Sequence, residues 1–372
     1  MRLFVQPEDG LAPILEAVRA ATQSIEIVIF RFDRKELEVA LGEAVARGVA
    51  VKAVIAHTNH AGEELLRKLE HRLLAAGVTV ARTGDDFVRY HSKFMIIDHS
   101  ELFVLAFNFT AIDIERSRSF GIATKDKQIV REALRLFEAD SKRQPYQDGI
   151  DNLVVSPTNA RQQLSDFING ATRELLIYDV ALSDAGIVKL LEQRAKAGVE
   201  IRIIGGVKSR FLQRRVLPMR LHSRTIIRDR ESAFIGSQSL RKAELETRRE
   251  LGLIFKDSAA VATMCGKFDE DWEQAAPAPS SLDQSPGGLE STEPSNAGKV
   301  AKKTAKAVIR GLPAVAPMVD DILKEVAPGS THLEIDPDDL QEAIEDAVKS
   351  AVKVAVKAAV IAAELAETAP TD

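Results

Sequence analysis

The chain of 372 residues carries one constellation twice, HSKFMIID beginning at His91 and HSRTIIRD beginning at His222. Each copy places a basic residue two positions after the histidine, Lys93 or Arg224, and an aspartate seven positions after it, Asp98 or Asp229. The copies lie 131 positions apart, and that shift also sets Gly121 on Gly252, Lys125 on Lys256, Asp126 on Asp257, Phe137 on Phe268 and Asp140 on Asp271. Upstream the matching shift is 150, pairing Val5 with Val155, Pro7 with Pro157, Thr22 with Thr172, Gly48 with Gly198 and Val49 with Val199. The first half therefore holds a connection nineteen residues longer than its counterpart. A framework written twice, with a histidine in each copy, points to one site assembled from two halves.

That framework reads as alternating strands and helices, an α/β fold. The apolar runs at 25–30 (IEIVIF) and 175–180 (LLIYDV) have the character of strands buried on both faces. Each is followed by a helical stretch ending at Gly48 or Gly198 and then by another strand, 49–55 or 199–204. Glycine just past a helix is a natural stop, since it enters the left-handed conformation without a Cβ clash. Each histidine is then expected to open a further strand, so that His91 and Lys93, or His222 and Arg224, share a face.

Length and composition bound the remaining choices. The repeat occupies residues 1–150 and 151–275, large enough for a sizeable core. A proline- and serine-rich linker is expected over 276–298, and an Ala/Lys-rich helical tail over 299–372. Cys265 is the single cysteine, which excludes an internal disulfide and fits a reducing compartment. The N-terminus lacks a signal-like apolar region and no stretch is long enough to cross a bilayer, so a cytoplasmic location, with peripheral membrane contact as an option, is the expectation.

The net charge of −5 is unevenly spread. Residues 276–372 hold nine Lys/Arg against sixteen Asp/Glu, leaving about +2 for the rest. Lys208, Arg210, Arg214, Arg215, Arg220 and Arg224 form a run without acids that leads into His222. It is either a solvated loop or an anion-attracting rim.

The paired His-x-Lys/Arg motifs, each with its aspartate after four further residues, resemble those of the phospholipase D superfamily, and the resemblance covers residues 1 to about 275. It implies two fused phospholipase D-like halves with mixed sheets flanked by helices, related by a pseudo-twofold. It also implies one site that cleaves phosphodiesters through a phosphohistidine, without metal or other cofactor. The residue chemistry agrees with this. Neutral imidazole can attack and imidazolium can donate a proton near neutral pH, while Lys93 and Arg224 supply countercharge for phosphate oxygens.

The halves depart from the family pattern in different places. The family usually shows Gly-Ser-x-Asn after the motif and then a glutamate oriented toward the histidine. The second half reads Gly236, Ser237, Gln238, Ser239, with Glu250 in the glutamate position; the first reads Leu105, Ala106, Phe107, Asn108, with Ser119 there. Asn108, Ser237 and Ser239 are thus the expected phosphate-binding residues. Glu250 is the expected histidine-orienting residue, matched by position to His222. The resemblance makes His91 the nucleophile and His222 the general acid, whereas a glutamate matched to His222 alone argues the reverse. Arg224 keeps the charge of the usual lysine but is planar and bulkier, so either altered phosphate geometry or a half that binds without turnover follows from it.

Other residues carry less. Asp98 and Asp229 are expected to face away from the histidines and secure local turns or the other half. His57, His60 and His71 lie in the longer connection without an acidic or cysteine cluster and read as surface histidines, and His99 and His332 belong to no constellation; no metal is expected. The valines at 348, 352, 356 and 360 form a narrow stripe on the tail, suited to self-association or docking. The expected activity is a phosphodiesterase that hydrolyses or transfers phosphatidyl groups of phospholipids at a membrane surface. A nuclease acting on DNA or RNA and a non-catalytic phosphate-binding module are the competing readings.

Overall fold

A computed structural model describes residues 1–57, 63–147, 149–207, 209 and 211–277. His60, Lys208, Arg210, most of the linker, the Lys-rich stretch, His332 and the valine-striped helix lie outside the described residues. The first half runs β1 (Arg2–Gln6), α1 (Ala12–Ala20), β2 (Ser24–Ile29), α2 (Lys35–Ala46), β3 (Ala50–Ile55), α3 (Glu63–Ala75), β4 (Thr79–Arg82), β5 (Arg89–Tyr90), β6 (Phe94–Ile97), β7 (Glu101–Leu105), α4 (Ala111–Glu115), β8 (Ser117–Thr124) and α5 (Lys127–Lys142). The second runs β9 (Leu153–Ser156), α6 (Ala160–Asn169), β10 (Glu174–Leu182), α7 (Ala185–Lys196), β11 (Glu200–Val207), β12 (Gln213–Val216), β13 (Arg220–Leu221), β14 (Arg224–Arg228), β15 (Ser232–Gly236), α8 (Lys242–Glu246), β16 (Arg248–Phe255), α9 (Ser258–Gln274) and β17 (Ala276–Pro277).

The two sheets have the same order, β1-β8-β7-β6-β2-β3-β4 and β9-β16-β15-β14-β10-β11-β12, with β17 at the edge of the second. Both are mixed. The pairs β2–β3 and β10–β11 are parallel and joined through α2 and α7, as parallel neighbours require a crossover, while β6 and β14 return antiparallel to β2 and β10. The extra length of the first half is α3, which has no counterpart between β11 and β12. One apolar core covers the outer face of each sheet, and a third lies between the sheets, drawing Phe94 and Phe120 from one half and Tyr178, Leu251 and Phe268 from the other.

Two short strands break the separation of the halves. β5, from the first half, pairs in parallel with β16, setting Arg89 and Tyr90 against Arg248 and Arg249. β13, from the second half, pairs in parallel with β8, setting Arg220 and Leu221 against Ser117 and Arg118. Buried ion pairs repeat the exchange: Arg118 donates to Asp271 of α9 at 2.7 and 3.1 Å, and Arg249 donates to Asp140 of α5 at 3.1 Å.

The motif aspartates act within their own halves. Asp98 (φ 51°) accepts from the backbone N–H groups of Thr22, Gln23 and Ser24 and from the Thr22 hydroxyl, and Asp229 (φ 54°) does the same for Thr172, Arg173 and Glu174. They satisfy the donors where the chain enters β2 and β10, on the far side of the motif from its histidine. The helix stops are also repeated. Gly48 (φ 91°) and Gly198 (φ 93°) close α2 and α7, with Val49 N–H bonding Ala44 C=O and Val199 N–H bonding Arg194 C=O beyond them.

A Cβ at Gly198 would meet nothing within 4 Å, and the same holds at Gly266 inside α9. Only the backbone distinguishes the two positions. Gly198→Ala should therefore lower unfolding free energy by about 1–2 kcal/mol, whereas Gly266→Ala should raise it by roughly 0.5–1 kcal/mol, both read from denaturant midpoints at constant slope.

Candidate active site

The exchanged strands place the histidines. The sequence reading set each histidine at the first position of a strand, but β6 begins at Phe94 and β14 at Arg224. His91 and His222 instead occupy the links where the chain leaves the opposite sheet and enters its own. Their backbone amides are held by that opposite sheet, His91 N–H to Arg249 C=O at 2.8 Å and His222 N–H to Arg118 C=O at 3.0 Å. The side chain of Ser119 on β8 donates to the His222 carbonyl at 2.7 Å.

Glu250 follows Arg249 on β16 and therefore meets His91, contrary to its positional match with His222. Both carboxylate oxygens lie against His91 Nδ1, at 2.9 and 3.0 Å. The reason is topological: the residue that follows the strand pairing in one half faces the histidine of the other. Phe30 packs edge-on against the imidazole, with ring centroids 4.6 Å apart, and fixes its plane. The remaining nitrogen, Nε2, is 2.8 Å from Lys93 Nζ, which also donates to the His91 carbonyl at 2.8 Å.

His222 has a different carboxylate. Asp113, on α4 of the first half, brings Oδ2 to 3.5 Å from His222 Nδ1. The same oxygen accepts from Asn108 N–H at 2.8 Å and Asn108 Nδ2 at 2.7 Å, while Oδ1 accepts from Arg220 Nη1 at 2.7 Å. The equivalent acid in the second half, Glu244 of α8, accepts from Ser239 N–H and pairs with Arg248 at 3.2 Å. Of the expected phosphate ligands, Asn108 is thus bound to Asp113, Ser239 Oγ donates to Asp179 at 2.9 Å, and Ser237 Oγ lies between the two backbone groups of Leu251.

Arg224 is 4% exposed, and its Nε and Nη1 have no hydrogen-bond partner among the described residues. An ionised guanidinium held away from water with unused donors is a site for an anion. Its charge acts on both His91 and Lys93, which places these three motif side chains in one electrostatic cluster. Burial, then Lys93 and Arg224, push the His91 imidazole well below the usual histidine range, and burial followed by the Glu244 charge pushes the Glu250 carboxyl up to about 8. These opposite shifts narrow the difference in proton affinity across the Nδ1–carboxylate contact.

Asp113, Arg118, Arg249 and Phe30 were not singled out by sequence reasoning, and Arg220 was named only as part of the basic run leading into His222. The shift of 131 already aligns Asp113 with Glu244, Arg118 with Arg249 and Arg89 with Arg220, and that signal could have found them. His57 and His71 are exposed, His99 pairs with Glu26 at 2.9 Å, and no group of three or more His, Cys, Asp or Glu suited to a metal ion occurs among the described residues.

A family model described as "Cardiolipin synthase, PLD-like domain" matches residues 14–141. The chain is 28% identical over 136 residues to the mitochondrial cardiolipin hydrolase of Danio rerio, covering 36% of this chain and 59% of that protein. It is 31% identical over 135 residues to the Homo sapiens protein of the same name, covering 35% of this chain and 50% of that protein. Residues 14–141 therefore match a phospholipase D-like domain. The match spans half to three-fifths of those relatives, and the family model lies in the half that contains His91. Solved structures extend the likeness in fold across both halves. A polyphosphate kinase from Porphyromonas gingivalis superposes with a TM-score of 0.65 at 19% identity, covering 76% of this chain and 49% of that one. A phosphatidylserine synthase from Haemophilus influenzae superposes with a TM-score of 0.57 at 12% identity, covering 74% and 87%. Within the superfamily pattern, this chain's Arg224 and Ser119 are the departures that bear on its site.

Burial lowers the Lys93 ammonium to about 7. Lys93 is charged below that pH and neutral above it, so affinity for a diester monoanion such as diethyl phosphate, whose own charge is constant, should fall as pH rises through about 7. Lys93→Met should flatten that dependence in calorimetric titrations between pH 5.5 and 8.5.

Proposed function

We propose that the protein is a phosphodiesterase that hydrolyses or transfers phosphatidyl groups of phospholipids through a phosphohistidine on His91. The observation that carries this reading is the His91 geometry: Nδ1 is fixed by Glu250 and Nε2 is directed at Lys93. A phosphodiester oxygen drawn to Lys93 and to the unused donors of Arg224 sets phosphorus beside the Nε2 lone pair. The P–N bond forms as the bond to the leaving oxygen breaks, and His222 gives that oxygen its proton. Water or an alcohol then loses a proton to His222 and attacks phosphorus, the P–N bond breaks, and both rings return to their starting states.

The lipid substrate class is supported by the cardiolipin-related family model and by the named activity of the hydrolase relatives. No helix among the described residues is long and apolar enough to cross a membrane, so lipid would be met at a surface. Asn108, Ser237 and Ser239 serve by holding the loops beneath the phosphate, and Asp98 and Asp229 by anchoring the motif strands. The residues supply nucleophile, acid and countercharge without a metal.

The test is a panel with chelator present: phospholipid vesicles, single- and double-stranded nucleic acid, and bis(p-nitrophenyl) phosphate. Release of headgroups or phosphatidyl transfer is the expected outcome, lost by roughly 10²–10⁴-fold in both His91→Ala and His222→Ala. A 32P label should be trapped on His91 and persist longest in His222→Ala. Strand cleavage without lipid turnover would transfer the reading to nucleic acid, and binding of every diester without turnover would remove the enzymatic reading.

A further inference from the structure

The family position for the carboxylate that serves His222 is held by Ser119, whose hydroxyl donates to the His222 carbonyl. We infer that Asp113 has taken over that task and is the positioning residue for the His222 imidazole. This rests on the phosphodiesterase reading above and deepens it.

Three observations carry the inference. First, Asp113 is completely buried, and the nearer of its oxygens to the ring is 3.5 Å from Nδ1, a distance at which its negative charge favours a proton on that nitrogen. Second, the carboxylate is held from all sides: Asn108 grips Oδ2 through two donors, Arg220 grips Oδ1, and the Thr110 hydroxyl caps the Asp113 amide at 3.4 Å. A group anchored in this way can orient a neighbour rather than follow it. Third, the second half provides the contrast. Glu244, equivalent to Asp113, secures the Ser239 loop and Arg248, while the histidine on its side of the interface is served by Glu250. In the first half one acid performs both tasks.

The two carboxylates differ in strength. Glu250 lies against Nδ1 through both oxygens, whereas Asp113 is shared with Arg220, whose positive charge offsets part of its own. A ring compensated through both carboxylate oxygens suits the nucleophile, which becomes positive on phosphorylation.

The experiment compares two diesters of one phosphoryl group, one leaving as p-nitrophenolate and one as an alkoxide. Asp113→Asn should slow alkoxide release by about 10²-fold and p-nitrophenolate release by no more than a few-fold, because only the poor leaving group needs the acid. Ser119→Glu, added to Asp113→Asn, should restore alkoxide release. Equal slowing of both diesters, with no recovery on adding Ser119→Glu, would overturn the inference while leaving the phosphodiesterase reading intact. Turnover of neither diester by the unmutated protein would instead sink that reading. Ring 15N shifts, assigned by comparison with His222→Ala, test the inference in the unmutated protein without turnover. A proton on His222 Nδ1 is expected, and its absence overturns the assignment.

Discussion

The structure depends on two dipeptides that pair with the wrong sheet. Arg89–Tyr90 lies along Arg248–Arg249, and Arg220–Leu221 along Ser117–Arg118, so each chain link leading to a motif histidine is first tied to the other half. Backbone donors and acceptors buried at such a junction need partners, and the strand exchange supplies them. The Arg118–Asp271 and Arg249–Asp140 pairs then fix the register of the exchange. Buried ion pairs of this kind add little net stability compared with apolar packing, but losing one partner strands the other charge, so they select one docking of the halves over its neighbours. The apolar core between the sheets favours closure; the exchanged strands and ion pairs decide where it closes.

That docking explains the distribution of charge at the site. His91, Lys93, His222 and Arg224 are all buried, which in isolation would be costly for the cations. The acids that compensate them come across the interface, Glu250 from the second half and Asp113 from the first. Lys93 and Arg224 are not equivalent in this environment. Lys93 has a flexible stem and turns its ammonium onto His91 Nε2 and the His91 carbonyl, whereas the planar guanidinium of Arg224 retains buried donors without partners among the described residues. In the proposed reaction an entering phosphate oxygen would displace a contact at Lys93 and satisfy an open demand at Arg224.

Much of the fold was legible in the repeat. The two-half architecture, the alternation of buried strands and helices, the glycine stops at Gly48 and Gly198, and the insertion that became α3 all follow from periodicity and spacing, which local physics enforces. The strand assigned to start at His91 was wrong because pairing partners are not local: β5 satisfies its backbone on β16, more than 150 residues away. The same cause misdirected Glu250. Its alignment with the second motif is real, but the exchange turns β16 toward the first. Asp113 was overlooked because α4 is a five-residue helix with no strong periodic signal, although its alignment with Glu244 was present in the chosen shift.

An interface built by exchange changes what a substitution in one half does. The glutamate position of the first half holds Ser119, yet the histidine it would serve belongs to the second half; conversely, the intact Glu250 supports His91. Comparing each motif with the residues that follow it therefore scores the halves the wrong way round, making the second half seem complete and the first impaired. With the crossing included, His91 has Nδ1 held by Glu250 and Nε2 beside the Lys93 ammonium, while His222 keeps a carboxylate that is farther away and shared with Arg220. In the proposed reaction the asymmetry matches the unequal demands of the two steps, since one ring would bear phosphorus and the other only a proton.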